Sequence, residues 1–152
     1  MNVFDILKQD HQKVAGLFQQ LEPAADDDTR QQLFTQLKQE LDLHAHVEET
    51  ILYPALKEAS QTREIILEAY EEHAEVKELL ARIEQTPPAD DAKWTDLVAE
   101  LRHNVEHHVD EEESELFDAA RDVLSGAQID DITRRVQEAK QQGVKAADAG
   151  AP

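Results

Sequence analysis

The sequence predicts an all-α protein: an up-down-up-down four-helix bundle with a short C-terminal helix behind it. Three observations predict this. Apolar residues recur at three- and four-residue spacing through four long segments. Only four glycines and no alternating β-branched run interrupt them. The breaks between segments are short, as antiparallel neighbours require. The chain also reads twice. Aligning His11 with His73 pairs Val14 with Val76, Leu17 with Leu79 and Leu21 with Ile83. Aligning His44 with His108 pairs Glu48 with Glu112, Leu52 with Leu116 and Tyr53 with Phe117. The repeat unit is one helical hairpin, and the bundle is two of them.

The first helix is expected over residues 2–22, with Val3, Ile6, Leu7, Val14, Leu17, Phe18 and Leu21 on one face and His11 inside that stripe. Pro23 and the run Asp26-Asp27-Asp28 make a turn, and Asp28 or Thr29 is expected to cap the second helix. That helix, 29–58, carries Leu33, Leu37, Leu41, Ile51 and Ala55, with His44 and Glu48 where two more hydrophobes belong. Pro54 removes a backbone bond near its end and predicts a kink. The third helix, 62–86, shows Ile66, Ala69, Tyr70, Val76, Leu79, Leu80 and Ile83 around His73. Pro87-Pro88 breaks the chain, and Asp90 or Asp91 starts a fourth helix running to residue 125. Trp94, Leu97, Leu101, Val105, Leu116 and Ala119 are its expected buried side, and Gly126 its expected end. The predicted organisation is a bundle over 1–125, a short amphipathic helix over 126–142 built on Ile129, Ile132 and Val136, and a disordered tail over 143–152.

Thirty-four acidic against 15 basic residues give a net charge of −19. Such a surface repels nucleic acid and anionic membranes, so neither is an expected partner. The absence of cysteine excludes disulfides, zinc-thiolate sites and thiol catalysis, and suits a reducing cytoplasm. Met1 leads directly into an amphipathic segment with no secretory pattern, and no apolar stretch approaches the ~20 residues a bilayer span needs. A cytoplasmic protein, monomeric or weakly dimeric, is the expectation.

Six polar residues break the four apolar stripes: His11, His44, Glu48, His73, His108 and Glu112. A lone histidine on such a face is more often a hydrogen-bonded core residue than a ligand. Six are another matter: burying them unpaired costs several kcal/mol, and a multivalent cation would satisfy imidazoles and carboxylates together. Their heights agree. Glu48 lies twelve residues before Ser60, at the second turn, and His73 thirteen after it. At about 1.5 Å per residue the two are level. In the fourth helix His107/Glu111 has the same spacing as His108/Glu112, but the apolar stripe and the repeat select the latter. His107, Glu111, His46 and His103 are expected on solvated flanks. Glu49 and Glu113 are candidates to orient the ligands from outside. Four imidazoles and two carboxylates suit zinc poorly. They suit a pair of irons bridged by the glutamates, with two histidines on each ion and room for an oxo or hydroxo bridge; manganese meets the same donor set.

The order His11, His44-x-x-x-Glu48, His73, His108-x-x-x-Glu112 resembles the hemerythrin-like (HHE cation-binding) domain family, of the bacterial H-HxxxE-H-HxxxE type. The opening Ile6-Leu7-Lys8-Gln9-Asp10-His11 and the run Glu48-Glu49-x-x-Leu52-Tyr53-Pro54 carry the same likeness, which covers residues 1–120. The resemblance implies a non-haem di-iron centre in a four-helix bundle, reacting with dioxygen, hydrogen peroxide or nitric oxide. Oxygen-carrying members have a further histidine where Lys77 stands, and end on an aspartate five residues after its histidine rather than on Glu112, four after. One iron then lacks an imidazole, its place left to water or to a phenol. Tyr53, swung inward by the Pro54 kink, and Tyr70, one turn before His73, are the two phenols in reach. Breakdown or sensing of peroxide or nitric oxide under oxidative stress, with an unidentified electron donor, is favoured over oxygen carriage. A non-catalytic oxygen- or iron-responsive module is the alternative. Ferritin-like iron oxidation ranks last, because its Glu-x-x-His pairing occurs here once, at Glu100/His103.

Overall fold

The computed structural model describes residues 1–150, with side chains to Gly143. Its elements are α1 (Val3–Leu21), α2 (Asp27–Val47), a π-turn (Glu48–Leu52), α3 (Tyr53–Lys57), α4 (Arg63–Glu84), α5 (Asp91–Glu111), a second π-turn (Glu112–Leu116), α6 (Phe117–Val123) and α7 (Gly126–Gly150). Joined through the π-turns, α2–α3 and α5–α6 are the second and fourth rods of the bundle. There is no strand among the described residues. Helix α1 packs on α2 and α4 on α5, which gives the two expected hairpins, and α7 lies against α1 and α2.

Local chemistry sets the ends. Asn2 and Asp5 exchange side-chain and backbone hydrogen bonds in a capping box at the start of α1. Asp26, rather than Asp28 or Thr29, caps α2: its carboxylate accepts from the Thr29 N–H at 3.0 Å and also from the Thr29 hydroxyl. Arg30 fastens the far end, donating to the Ala24 and Pro88 carbonyls, pairing with Asp91 at 2.7 Å and lying over the Trp94 ring.

The expected kink at Pro54 is replaced by something else. The Tyr53 N–H bonds to the Glu48 carbonyl and the Phe117 N–H to the Glu112 carbonyl, so each rod contains one wide turn closed from residue i to i+5. Asp118 follows Phe117 where Pro54 follows Tyr53, so proline is not the cause; the wide turn belongs to the repeat. Each turn adds one residue and moves the buried stripe on by one. Leu56 and Ala120 are therefore buried where the straight-helix pattern points to Ala55 and Ala119.

At the other end of the chain Gly126 opens α7 rather than closing the helix before it. Ser125 forms a reciprocal cap with Gln128, and no glycine among the described residues has positive φ. Helix α7 continues past residue 142 to Gly150. Gly143, expected to begin the tail, packs on α2, where an added Cβ would lie 2.5 Å from Leu43 Cδ1. Residues 151–152 of that expected tail lie outside the described residues.

The apolar interior falls into two clusters. One holds Val3, Phe4, Leu7, Val47, Leu52, Leu56, Leu116, Phe117 and Val136; the other Val14, Phe18, Phe34, Leu37, Leu80, Trp94 and Leu101. Between them lies a buried polar layer.

Candidate metal centre

That layer contains the six polar residues singled out in the sequence: His11, His44, Glu48, His73, His108 and Glu112, all at most 7 % exposed. They form two groups whose ligand atoms lie within 4.8 Å of one another, His11–His44–Glu112 and Glu48–His73–His108. In each, one imidazole comes from the first helix of a hairpin and one from the second, with their rings edge to face. The glutamates reach across. Glu48 Oε1 lies 3.1 Å from His44 Nε2 and 3.2 Å from His73 Nε2. Glu112 Oε1 lies 3.1 Å from His11 Nε2 and 3.7 Å from His44 Nε2, while its Oε2 is 3.5 Å from His108 Nε2.

Every imidazole is turned by an acid on its outer nitrogen. His11 Nδ1 meets Glu113 at 2.6 Å, His44 Nδ1 meets Asp10 at 2.9 Å, His73 Nδ1 meets Glu49 at 3.1 Å and His108 Nδ1 meets Glu72 at 2.7 Å. An Nδ1–H donated outward leaves the Nε2 lone pair facing the centre. Glu49 and Glu113 stand where the sequence suggested. Asp10 and Glu72 were missed, although the repeat carried them: each is the acid directly before the first histidine of its hairpin. His46, His103 and His107 are exposed, as expected of flank residues.

Tyr53 is fully buried and its hydroxyl donates to Glu112 Oε2 at 2.7 Å, 3.4 Å from His73 Nε2 and 3.5 Å from His108 Nε2. A turn closed from i to i+5 brings the fifth residue back beneath the first. The π-turn, not a Pro54 kink, thus aims both Glu48 and Tyr53 inward. Tyr70 does not enter the layer; its hydroxyl donates to the Glu49 carbonyl and its ring meets Tyr53 edge-on.

In the metal-free layer, charge pairing between imidazoles and carboxylates opposes the cost of burial. Burial pushes the His44 imidazole down, but the charge of Glu48, then the bond to Asp10 and the nearby Glu112 carboxylate, outweigh it and hold it well above its usual value. Burial likewise opposes charge on His108, yet Glu112 and Glu72 raise it to about 10. Burial would raise Glu112; His108 first, then the remaining hydrogen bonds, hold it well below the usual carboxylate range. Burial, with Glu48 and Glu112 beside it, keeps the Tyr53 phenol well above its usual value, hence protonated. Three buried atoms, His44 Nε2 and both Glu48 oxygens, still have no hydrogen-bond partner. They are close but misdirected for a shared proton, and a cation between them would satisfy all three. The donor set fits metal.

On one side of the imidazoles lies a cavity of about 40 Å³ lined by Val14, Leu41, Val76, Leu80, Val105 and Val109, reaching Asp42 and Lys77 at its edge. The Lys77 ammonium pairs with Glu49 at 3.4 Å, on the carboxylate that holds His73.

The family model for the hemerythrin HHE cation binding domain matches residues 2–120. The chain belongs to this hemerythrin-like family. It is 27% identical to an HHE domain-containing protein from Mycobacterium kansasii, whose crystal structure superposes with a TM-score of 0.85 over 97% of this chain and 90% of that one. It is 30% identical to Rv2633c of Mycobacterium tuberculosis over 87% of this chain and 81% of the relative. A Nostoc protein named "DNA nickase" is 35% identical over 92% of this chain, which spans only 39% of that relative's length. No helix among the described residues is long and apolar enough to cross a membrane.

Proposed function

We propose that the protein is a non-haem di-iron protein that reacts with dioxygen, peroxide or nitric oxide, held by His11 and His44 on one side, His73 and His108 on the other, and Glu48 and Glu112 between. The observation that carries this reading is the buried layer itself: four inward Nε2 atoms and two carboxylates, three of their atoms unpartnered, beside a small apolar cavity. Such a metal pair would supply electron transfer to a small oxidant.

The chain's own residues govern the rest. Asp10, Glu49, Glu72 and Glu113 fix the imidazoles and raise their basicity. The valine and leucine lining keeps the approach apolar, and a cavity of about 40 Å³ has room for a molecule of two or three heavy atoms. Tyr53 holds a proton 2.7 Å from Glu112 Oε2, on the His73/His108 side. The carriers' additional imidazole would fall at Lys77, beside the cavity, whereas this phenol lies next to His73 and His108, and a proton held there favours proton-coupled turnover over reversible carriage. Iron-loaded protein should evolve oxygen from hydrogen peroxide faster than the same iron free in solution. Equal rates would remove the enzymatic reading and leave a binding module that senses oxygen or iron, or an oxygen carrier, recognised by loss of helicity on chelation.

The net charge of −19 opposes approach to a polyanion, so we read duplex DNA as no substrate of this chain. Incubation with supercoiled plasmid tests that. Relaxed circles formed by the metal-loaded protein would bring the Nostoc relative's named activity to this chain.

A further inference from the structure

Outside the buried layer, a third set of ligand atoms converges on the bare face of the second hairpin. His107 and Glu111, one turn apart on α5, face Glu72 of α4, and one ligand atom from each lies within 4.8 Å of the others. His107 Nε2 is 2.9 Å from Glu111 Oε1 and 3.6 Å from Glu72 Oε2. Glu72 is already engaged on its inner side, where Oε1 accepts from His108 Nδ1 at 2.7 Å. Its outer oxygen is therefore turned outward by the same bond that fixes a ligand of the centre.

The first hairpin shows what this position requires. Asp10 is the counterpart of Glu72, and it too accepts from an imidazole, His44, with one oxygen. Its other oxygen is held by the Lys140 ammonium from α7. Each hairpin thus carries a buried histidine backed by a carboxylate, and in the first a cation completes the chain. Among the described residues, helix α7 packs on that side, against α1, α2 and the first π-turn. In the second hairpin Leu43 and Val47 are replaced by His107 and Glu111, and no lysine or arginine pairs with Glu72 or Glu111 among the described residues. Solvent exposure explains why these two positions are polar, and beyond that the arrangement presents an imidazole and two carboxylates to one point, which is the donor set of a first-row divalent cation.

We propose that Glu72, His107 and Glu111 form an auxiliary divalent-cation site on the protein surface, filling the place that Lys140 fills in the other hairpin. An ion there draws on the outer oxygen of Glu72, one carboxylate away from His108. The site is half open, so it exchanges with solvent while the buried layer does not.

The test is a manganese(II) titration of the full chain, with free ion followed by electron paramagnetic resonance. Protein whose buried layer is already loaded should take up one further ion per chain. His107→Ala and Glu111→Gln should each weaken that ion by about tenfold or more, a loss of about 1.4 kcal/mol, while Lys140→Ala leaves it in place. Repeating the titration on Glu48→Gln separates this site from the buried one. The surface ion should still bind there, and still be lost with His107, even if the buried layer takes no metal. An additional ion that binds His107→Ala and Glu111→Gln as tightly as wild type, or no additional ion in the wild-type protein, overturns the proposal. Helicity unchanged in both variants excludes loss through misfolding, as expected for an exposed His107.

Discussion

Each hairpin brings two histidines and a glutamate to the centre, and the two surround them differently. In the first, α7 covers the outer face, Lys140 completes the Asp10–His44 chain, and the π-turn delivers a tyrosine. In the second the outer face is bare, Glu72 meets His107 and Glu111, and the equivalent π-turn delivers Phe117, whose ring packs on Phe4. The parts the hairpins share build the site. The parts that differ make its two ends chemically distinct, with a phenol near His73 and His108 and only a phenylalanine ring, 6.2 Å from centroid to centroid, beside His11.

The strongest way to break the comparison is to remove a shared part. Glu48 touches an imidazole from each hairpin, and so does Glu112. Glu48→Gln and Glu112→Gln should each abolish binding of both ions rather than of one, which metal analysis of the purified variants checks. Loss of one ion from one variant and the other from its partner would mean that the glutamates do not bridge.

The shared imidazoles also set opposite responses to pH. His108 is raised from 6.5 to about 10 in the metal-free fold, so its contribution to stability is complete below pH 6.5 and is lost as pH rises through about 10. Glu112 is depressed, so its contribution is present above its usual value of 4.5 and lost as pH falls below that. The pair titrates together. Metal-free protein should therefore melt highest between about pH 4.5 and 6.5 and lose stability toward pH 10. Metal must displace the imidazole protons, so the metal-loaded protein should gain stability over that same rise. Thermal melts with and without chelator give both slopes; parallel slopes would contradict the assignment.

How much of this was legible in the chain follows the same division. Periodicity and the repeat located both hairpins and the six polar positions, because burial of an apolar stripe is a local property and a histidine within it is conspicuous. The π-turns were not legible: a turn one residue wider leaves the composition unchanged, and Pro54 offered a false cause. Asp10 and Glu72 were hidden among the chain's 34 acidic residues. Only their matched places before His11 and His73 distinguish them. Lys140 lies outside the repeat, so nothing in the pattern marked it.

Tyr53 sharpens the difference between the hairpins. Tyr53→Phe makes the first π-turn resemble the second and removes the proton held on Glu112 Oε2. Iron content should be kept, while peroxide turnover falls by roughly 100-fold, the scale of a lost positioned proton donor. A visible absorption band present in wild type and absent in the variant would show instead that the phenolate itself binds iron.

The smallest expected effect concerns Lys140, and it measures how far the outer chain of contacts reaches. The ammonium touches no candidate ligand; it acts by holding Asp10, which holds His44 Nδ1 at 2.9 Å. Burial raises the Asp10 carboxyl, but His44 and then Lys140 hold it below its usual value, so the carboxylate stays charged. Lys140→Met removes the charge and keeps the apolar stem against α1 and α2. Metal affinity should fall by roughly tenfold, the low end of what loss of a supporting contact costs, with the melting profile of the metal-free fold little changed. Lys140→Arg should restore most of it. Glu72→Gln alters the carboxylate that itself holds His108 Nδ1, so it should cost more at the His108 end than Lys140→Met costs at the His44 end. Competition with a calibrated chelator ranks the three variants, and a loss from Lys140→Met as large as that from Glu72→Gln would show that Lys140 acts on the centre by more than holding Asp10.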